Sequence, residues 1–166
     1  MFSVTQPTAF NACINTYVRP LLENASPVWS PQYNYLIDKI ESVQRRFTKR
    51  LPGYISLDYP ARLVSLGQCS LEKRRIVHDL VLMYKLIFKI VDVQMSIFFT
   101  LRNNAVPTRG NPYKVSLKVS HTNVRRHFFT ERIAFIWNSL PPSVVDLRSL
   151  SLFKKTIYNA NLFKRY

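Results

Sequence analysis

Acidic residues are scarce in this sequence, with 9 Asp and Glu against 24 Lys and Arg, and no two acids are adjacent. A two-metal polymerase or nuclease needs clustered carboxylates, because two divalent ions about 3.5–4 Å apart share oxygen ligands. The closest acids, Asp38 and Glu41, share a predicted helix, where we expect them to pair with Lys39 or Arg45. The sequence therefore predicts a chain that is not an enzyme.

Glycine, cysteine and histidine are also too few for the common catalytic and cofactor motifs. With 3 glycines the chain has no G-x-x-x-x-G-K or G-x-G-x-x-G loop and no G-x-S-x-G elbow. His78, His121 and His127 have no metal-ligand partners at a suitable spacing. Cys13 and Cys69 are predicted to be reduced, buried thiols. We expect no cofactor, no metal and no small-molecule substrate, and an intracellular location in the nucleus or cytoplasm.

Long apolar runs are lacking as well. No stretch reaches the roughly 20 apolar residues that span a bilayer, and Lys85 and Lys89 interrupt the nearest one, residues 80–91. The first ten residues lack the basic start and apolar core of a secretory signal. We expect no membrane partner, although a basic amphipathic protein on anionic membranes stays an alternative interpretation.

What the sequence has in excess is positive charge. The net charge of the 166 residues is +15, and 47% of them are hydrophobic, which suffices for a folded core. Such an excess of cations repels itself unless an anion neutralises it. Nucleic acid is the predicted partner, because Lys and Arg gain affinity by releasing counterions from phosphates. A generically basic protein is the plain alternative.

Apolar residues recur at spacings of three and four, which predicts a mainly α fold. We expect an irregular bundle of about five to six helices, with a long basic loop or single extended segment in the second half. The predicted helices cover residues 7–23, 30–51, 59–66, 70–91, 126–139 and 149–158. Their predicted N-caps are Ser30, Asp58 and Ser70, and their predicted stops are Pro52-Gly53, Gly67 and Pro141-Pro142.

Two predicted helices have features that bear on the later argument. Pro20 lacks a backbone donor and should kink or end the first helix. The second helix is predicted to bury an apolar face. Its members are Tyr33, Leu36, Ile37, Ile40, Val43 and Phe47.

Residues 93–130 contain no acid and six bases. Residues 103–112 have the composition of a loop. Residues 113–119 alternate apolar with polar side chains, which is typical of a strand, but no partner strand is evident. An extended arm fits equally well.

Basic residues cluster on three predicted helices. Three of them, in the first turn of the fourth helix, oppose its dipole at a cost of about 0.3–1 kcal/mol each when exposed. This unfavourable placement favours a ligand that needs those charges. The candidate nucleic-acid-binding residues are Arg45, Arg46, Lys49, Arg50, Lys73, Arg74, Arg75, Arg125 and Arg126.

Five segments of the chain match an ordered set of motifs. Residues 17–31 are similar to Y-x-R-P-x-L-E-Y-A-S-x-V-W-x-P, with Asn24 in place of the second Tyr. Residues 40–50 are similar to I-E-x-V-Q-R-R-F-T-K-R. Residues 59–63, 70–75 and 128–141 are similar to Y-x-x-R-L, S-L-E-x-R-R and F-F-x-x-R-x-x-x-x-W-N-S-L-P. In this order, the segments resemble the region after the polymerase core of jockey-like non-LTR (LINE-type) retrotransposon reverse transcriptases.

The resemblance covers roughly residues 12–158 and implies the thumb and post-thumb region of such a polymerase. It implies a thumb-like helical region at 1–92, a basic linker at 93–125 and a C-terminal helical segment at 126–166, within one compact unit. It also implies that basic helices bind a template–primer duplex of RNA–DNA or other composition, and that the chain packs against a polymerase palm. No position matches the palm's aspartate motif, so polymerase activity is not carried over. A non-functional relic of a mobile element is the competing interpretation.

Overall fold

The structure, a computed structural model, describes residues 11–102, 111–145 and 149–159. Within these ranges the chain is mainly α, as predicted, with nine α-helices and no β-strand. It forms two compact units, residues 1–75 and 76–166. The division falls inside a helix, whereas the sequence suggested divisions at residues 92 and 125. Arg109 and most of the predicted loop lie outside the described residues.

The first unit contains four complete helices and the first turn of a fifth. They are α1 (Arg19–Glu23), α2 (Ser26–Trp29), α3 (Asn34–Lys49), α4 (Tyr59–Ser65) and α5 (Leu71–Ile87). A π-helical segment, Ile14–Val18, precedes α1, and the Arg19 N–H donates to the Ile14 carbonyl. The helix does not end at Pro20 and continues to Glu23, but its geometry departs from α in the π-helical segment just before this proline.

The predicted N-cap of the second helix is wrong. The main helix α3 begins at Asn34 after Tyr33, and Ser30 instead ends α2, donating its N–H to the Ser26 carbonyl at 3.0 Å. Ser30 precedes a proline, which disfavours helical backbone angles, and its φ of −48° and ψ of 122° are not helical. The similar Ser26-Pro27 pair begins α2, so the same signature occurs twice and marks a helix start only once.

The predicted limits of α4 and the predicted start of α5 are confirmed. The Asp58 carboxylate accepts the Ala61 N–H at 2.9 Å, and Gly67 adopts φ +61° after α4. The Ser70 hydroxyl accepts the Lys73 N–H at 3.1 Å. However, α5 ends at Ile87, four residues before the predicted end.

The early end of α5 has a local cause. Lys89 adopts φ +51°, and the Ile90 N–H turns back to the Lys85 carbonyl at 2.8 Å. The Lys89 N–H donates to the Leu86 carbonyl at 3.4 Å, which completes a Schellman motif. The left-handed residue satisfies the last carbonyls and stops the helix.

The second unit packs the rest of α5 with four later helices. They are α6 (Asn123–Arg126), α7 (Phe129–Ser139), α8 (Pro142–Val145) and α9 (Leu150–Asn159). Its core centres on Trp137, Tyr84 and Phe153, each at most 2% exposed. The predicted helix 126–139 is broken, because Phe128 is extended and caps α7.

The predicted extended segment has a partner after all. Leu101 and Val115 form an isolated antiparallel bridge, with hydrogen bonds from Arg102 to Lys114 (2.9 Å) and from Ser116 to Thr100 (2.8 Å). The Val115 N–H and carbonyl point to the other side. Both bind the side-chain amide of Asn138 at 2.9 Å. The Asn138 side chain thus makes the two hydrogen bonds to Val115 that a second neighbouring strand would otherwise make.

Candidate nucleic-acid interface

The buried face of α3 is polar, which contradicts the predicted apolar face. Glu41, Gln44 and Thr48 are at most 5% exposed, whereas Tyr33 is 54% and Val43 39% exposed. The other predicted residues of that face are half-buried. The reason is that α3 packs where neighbouring segments offer hydrogen-bonding groups, and buried polar groups are retained when they are paired.

Each buried polar residue of α3 binds a different segment. The Glu41 carboxylate accepts the Leu71 N–H at 3.1 Å, the Glu72 N–H at 3.3 Å and the Tyr59 hydroxyl. The predicted pairing of Glu41 with Lys39 or Arg45 is therefore wrong. Burial, followed by the hydrogen bond to Glu41, raises the pKa of the Tyr59 phenol well above its usual value.

Two more buried side chains complete this polar contact. The Gln44 amide donates to the Gln68 side chain at 2.9 Å. Arg62, which is 4% exposed, donates to the Thr48 hydroxyl at 3.3 Å and to the Leu57 carbonyl at 2.8 Å. The buried face of α3 is thereby occupied, and its opposite face is left to the solvent.

The exposed face of α3 carries the predicted basic ridge. Arg45, Arg46, Lys49 and Arg50 are all exposed. Within the described residues, no carboxylate lies within ion-pair distance of the last three, whereas Arg45 lies 4.0 Å from Asp38. The Arg45 guanidinium also lies 5.2 Å from the centre of the Tyr59 ring. Three cations at the end of α3 are thus available to an external anion.

A depression of about 490 Å³ is present at the end of α3. It is lined by Arg46, Lys49 and Arg50 together with residues 51–53 and Ile55 of the following turn. Gly53 adopts φ +83°, which allows the chain to turn back there. The arrangement presents several donors at an open surface, as phosphate contacts require.

The cluster at the start of α5 is not an exposed cationic surface. Arg75 is 2% exposed and lies in the interior. Both oxygens of Glu23 bind the Arg74 guanidinium, one of them at 2.8 Å, and Arg19 also contacts Glu23 at 3.3 Å. Lys73 is half-buried. The predicted role of Arg74 and Arg75 in an exposed interface is therefore not supported by their positions.

Carboxylates offset the unfavourable placement of cations in the first turn of α5. Glu41 accepts the first N–H groups of the helix, and Glu23 binds Arg74. Negative groups near a helix N-terminus are stabilising. The chain itself compensates Arg74, so its position is no sign of a missing ligand.

The last predicted pair, Arg125 and Arg126, lies in the second unit. Both residues are exposed on α6. Arg125 lies 3.8 Å from Glu131 and 5.2 Å from the centre of the Phe128 ring. Arg126 lines a depression of about 290 Å³ next to Lys118. This second, smaller basic surface is partly neutralised by Glu131.

The remaining acidic and cysteine candidates for chemistry have the following positions in the described part of the chain. Asp79, beside His78 in sequence, accepts from Arg132 at 2.9 Å. Cys13 is exposed and Cys69 half-buried, so the prediction that both thiols are buried is wrong, and both are free. Burial raises the pKa of the Cys69 thiol. Among the described residues, no group of three or more His, Cys, Asp or Glu is placed to hold a metal.

The sequence analysis missed the internal polar residues Glu23, Glu41 and Arg62. Each of them hydrogen-bonds to a distant segment of the first unit. No local signal predicts these contacts, because a single acid or arginine in a helix has the pattern of a surface residue.

No family model, curated protein or solved structure matches this chain. In the part of the chain that the structure describes, no helix is both long and apolar enough to cross a membrane.

Proposed function

We propose that this chain is a non-catalytic nucleic-acid-binding module that contacts the phosphate backbone through the exposed end of α3. The observation that carries the proposal is the cluster of Arg46, Lys49 and Arg50, exposed around one depression without a carboxylate partner among the described residues. Binding of phosphates releases counterions, and this sequence-independent gain favours such a cluster.

The resemblance supplies the biological context of this proposal. A fragment of a jockey-like non-LTR retrotransposon reverse transcriptase would use this surface on template–primer nucleic acid. Hydrogen bonds between the four resembling segments of the first unit support the proposal, because they place these segments in one compact unit with the basic ridge. No catalytic role is proposed for any residue of the chain.

A quadruple variant tests the proposal. Arg45, Arg46, Lys49 and Arg50 are replaced by Gln, and binding to a labelled RNA–DNA duplex is measured by fluorescence anisotropy at several salt concentrations. If the wild-type chain neutralises about four phosphates, the log–log slope of affinity against salt is about −3.6. The variant should bind more weakly with a shallower slope.

A second quadruple variant serves as the control. It replaces Lys85, Lys89, Lys154 and Lys155 by Gln, which also removes four positive charges but from residues of the second unit. If both variants lost the same duplex affinity, the loss would come from the lower net charge and not from the α3 surface. Retention of wild-type affinity and slope by the α3 variant, or undetectable duplex binding by the wild-type chain at low salt, would overturn the proposal.

Anionic membranes are the competing partner of such a surface. Flotation with vesicles that contain anionic lipid, in the presence of excess duplex, separates the two. The proposal expects the duplex to remove the chain from the vesicles.

A further inference from the structure

The other end of α3 carries an exposed pair of aromatic rings. Tyr33 is 54% and Tyr35 68% exposed, and their ring centres are 5.8 Å apart with the planes 25° from parallel. Stacking of these two rings against each other orders them and leaves ring surface in the solvent. Such a rigid aromatic surface is what single-stranded nucleic acid uses to stack its bases.

Tyr35 lies on the same face of α3 as two cations of the basic ridge, and Tyr33, the extended residue before the helix, stacks on its ring. At about 100° per residue, Tyr35, Lys39, Arg46 and Arg50 fall within a sector about 60° wide on the helix. All four are exposed. At about 1.5 Å per residue, Tyr35 and Arg46 are separated by about 16 Å along the axis, close to the rise of five base pairs.

We propose that Tyr33 and Tyr35 stack on an unpaired base, so that the exposed face of α3 binds a duplex joined to a single-stranded extension. This inference rests on the proposed function and specifies the form of nucleic acid that the same surface takes. The ridge contacts phosphates of the duplex, and the tyrosines lie about five base pairs further on, where the strand becomes single.

The charge of this face favours a nucleic acid over a protein as the occupant. An apolar partner surface has no need of Lys39, Arg46 and Arg50 on the same side, whereas a nucleic-acid strand provides phosphates for the cations and a base for the rings. The bases of a continuous duplex are stacked on each other and offer no free face. An unpaired base at the end of the duplex is therefore the group that satisfies both parts of the surface.

Matched substrates test this inference. Anisotropy is measured on a blunt 16-base-pair RNA–DNA duplex and on the same duplex with a four-nucleotide single-stranded extension. The proteins are the full wild-type chain, the double variant Tyr33→Ala/Tyr35→Ala, the ring-retaining Tyr33→Phe/Tyr35→Phe and the control Tyr17→Ala. Tyr17 is 70% exposed and lies outside α3.

The wild-type chain should bind the extended duplex about fivefold or more tightly than the blunt one, as one stacked base implies. The double alanine variant should lose this preference and keep wild-type affinity for the blunt duplex, whereas the phenylalanine and Tyr17 variants retain both. A 2-aminopurine in the extension should be quenched by the wild-type chain and not by the alanine variant.

Three results would overturn the inference. Equal binding of both substrates by the wild-type chain, or a preference that survives the double alanine variant, refutes the stacking role but leaves the basic ridge intact. No binding of either substrate at low salt refutes the proposed function and, with it, this inference.

Discussion

The Glu41 carboxylate accepts the backbone N–H of Leu71 at 3.1 Å, across 30 positions of sequence. Glu41 lies in the middle of α3, and Leu71 is the first residue of α5. A side chain of α3 thus caps α5, and satisfies N–H groups that have no partner within their own helix. This contact orients α3, because it places the polar face inside and the basic ridge outside.

Replacement of Glu41 by Ala should destabilise the chain. The Leu71 and Glu72 N–H groups would lose their acceptor, and hydrogen bonds to a charged group contribute about 1.5–3 kcal/mol each. We expect the free energy of unfolding to fall by about 2–3 kcal/mol, as measured by urea denaturation followed by circular dichroism. Asp38→Ala on the exposed face should change it by under about 0.5 kcal/mol. Equal effects of the two substitutions would contradict the capping role.

Tyr59 should make the folded chain sensitive to alkaline pH. Its pKa is raised above the usual value of about 10, first by burial and then by the hydrogen bond to Glu41. The folded state favours the neutral phenol, so its contribution is fully present below pH about 10 and declines as the pH rises above it. The free energy of unfolding, measured by urea denaturation at pH 8 to 11, should therefore fall.

The variant Tyr59→Phe separates this effect from general alkaline unfolding. It should be less stable by about 1 kcal/mol at pH 8, where it lacks the hydrogen bond, and should show a smaller decline at pH 11. Burial also raises the pKa of Tyr84, which leaves a residual decline in the variant. Tyr17→Phe is the control and should follow the wild-type curve. A Tyr59→Phe curve parallel to the wild type would count against the prediction.

Arg74 and Arg46 should have opposite roles. Arg74→Gln breaks the pairing with Glu23, whose side chain is 10% exposed, and we expect a loss of about 1–3 kcal/mol in unfolding free energy. Its affinity for an RNA–DNA duplex should change less than about twofold. Arg46→Gln should lower the affinity and leave the unfolding free energy within about 0.5 kcal/mol. If Arg74→Gln lowered the duplex affinity and Arg46→Gln did not, the cluster at the start of α5 would be the binding surface instead.

Asn138 should be essential for the extended segment of the second unit. Asn138→Ala removes both hydrogen bonds to Val115, and we expect a loss of about 1–3 kcal/mol by urea denaturation. Ser139→Ala is the adjacent control, because its exposed hydroxyl donates to the Ile136 carbonyl of its own helix and lies outside the contact with Val115. Amide hydrogen exchange at Val115 should accelerate in the Asn138 variant alone. If the Val115 amide exchanged at the wild-type rate in the Asn138 variant, Asn138 would not be what holds the extended segment in place.

Local signals in the sequence correctly predicted the helix limits that depend on residues within one turn of each other. Asp58, Gly67 and Ser70 act on backbone groups within three or four residues, so their effects were predictable. The repeated Ser-Pro signature was ambiguous, because either Ser26 or Ser30 satisfies the local rule. The resemblance to a retrotransposon polymerase likewise depends on the sequence alone and stays a prediction.

By itself, the sequence determined the mainly α class and the surplus of cations, because helical periodicity and charge are properties of the chain. Only the tertiary structure decided which of those cations are available. Arg75 is buried and Arg74 is bound by Glu23, whereas Arg46, Lys49 and Arg50 are exposed. The physical reason is that a side chain is buried or exposed according to distant partners such as the start of α5, and neither spacing nor composition identifies those partners.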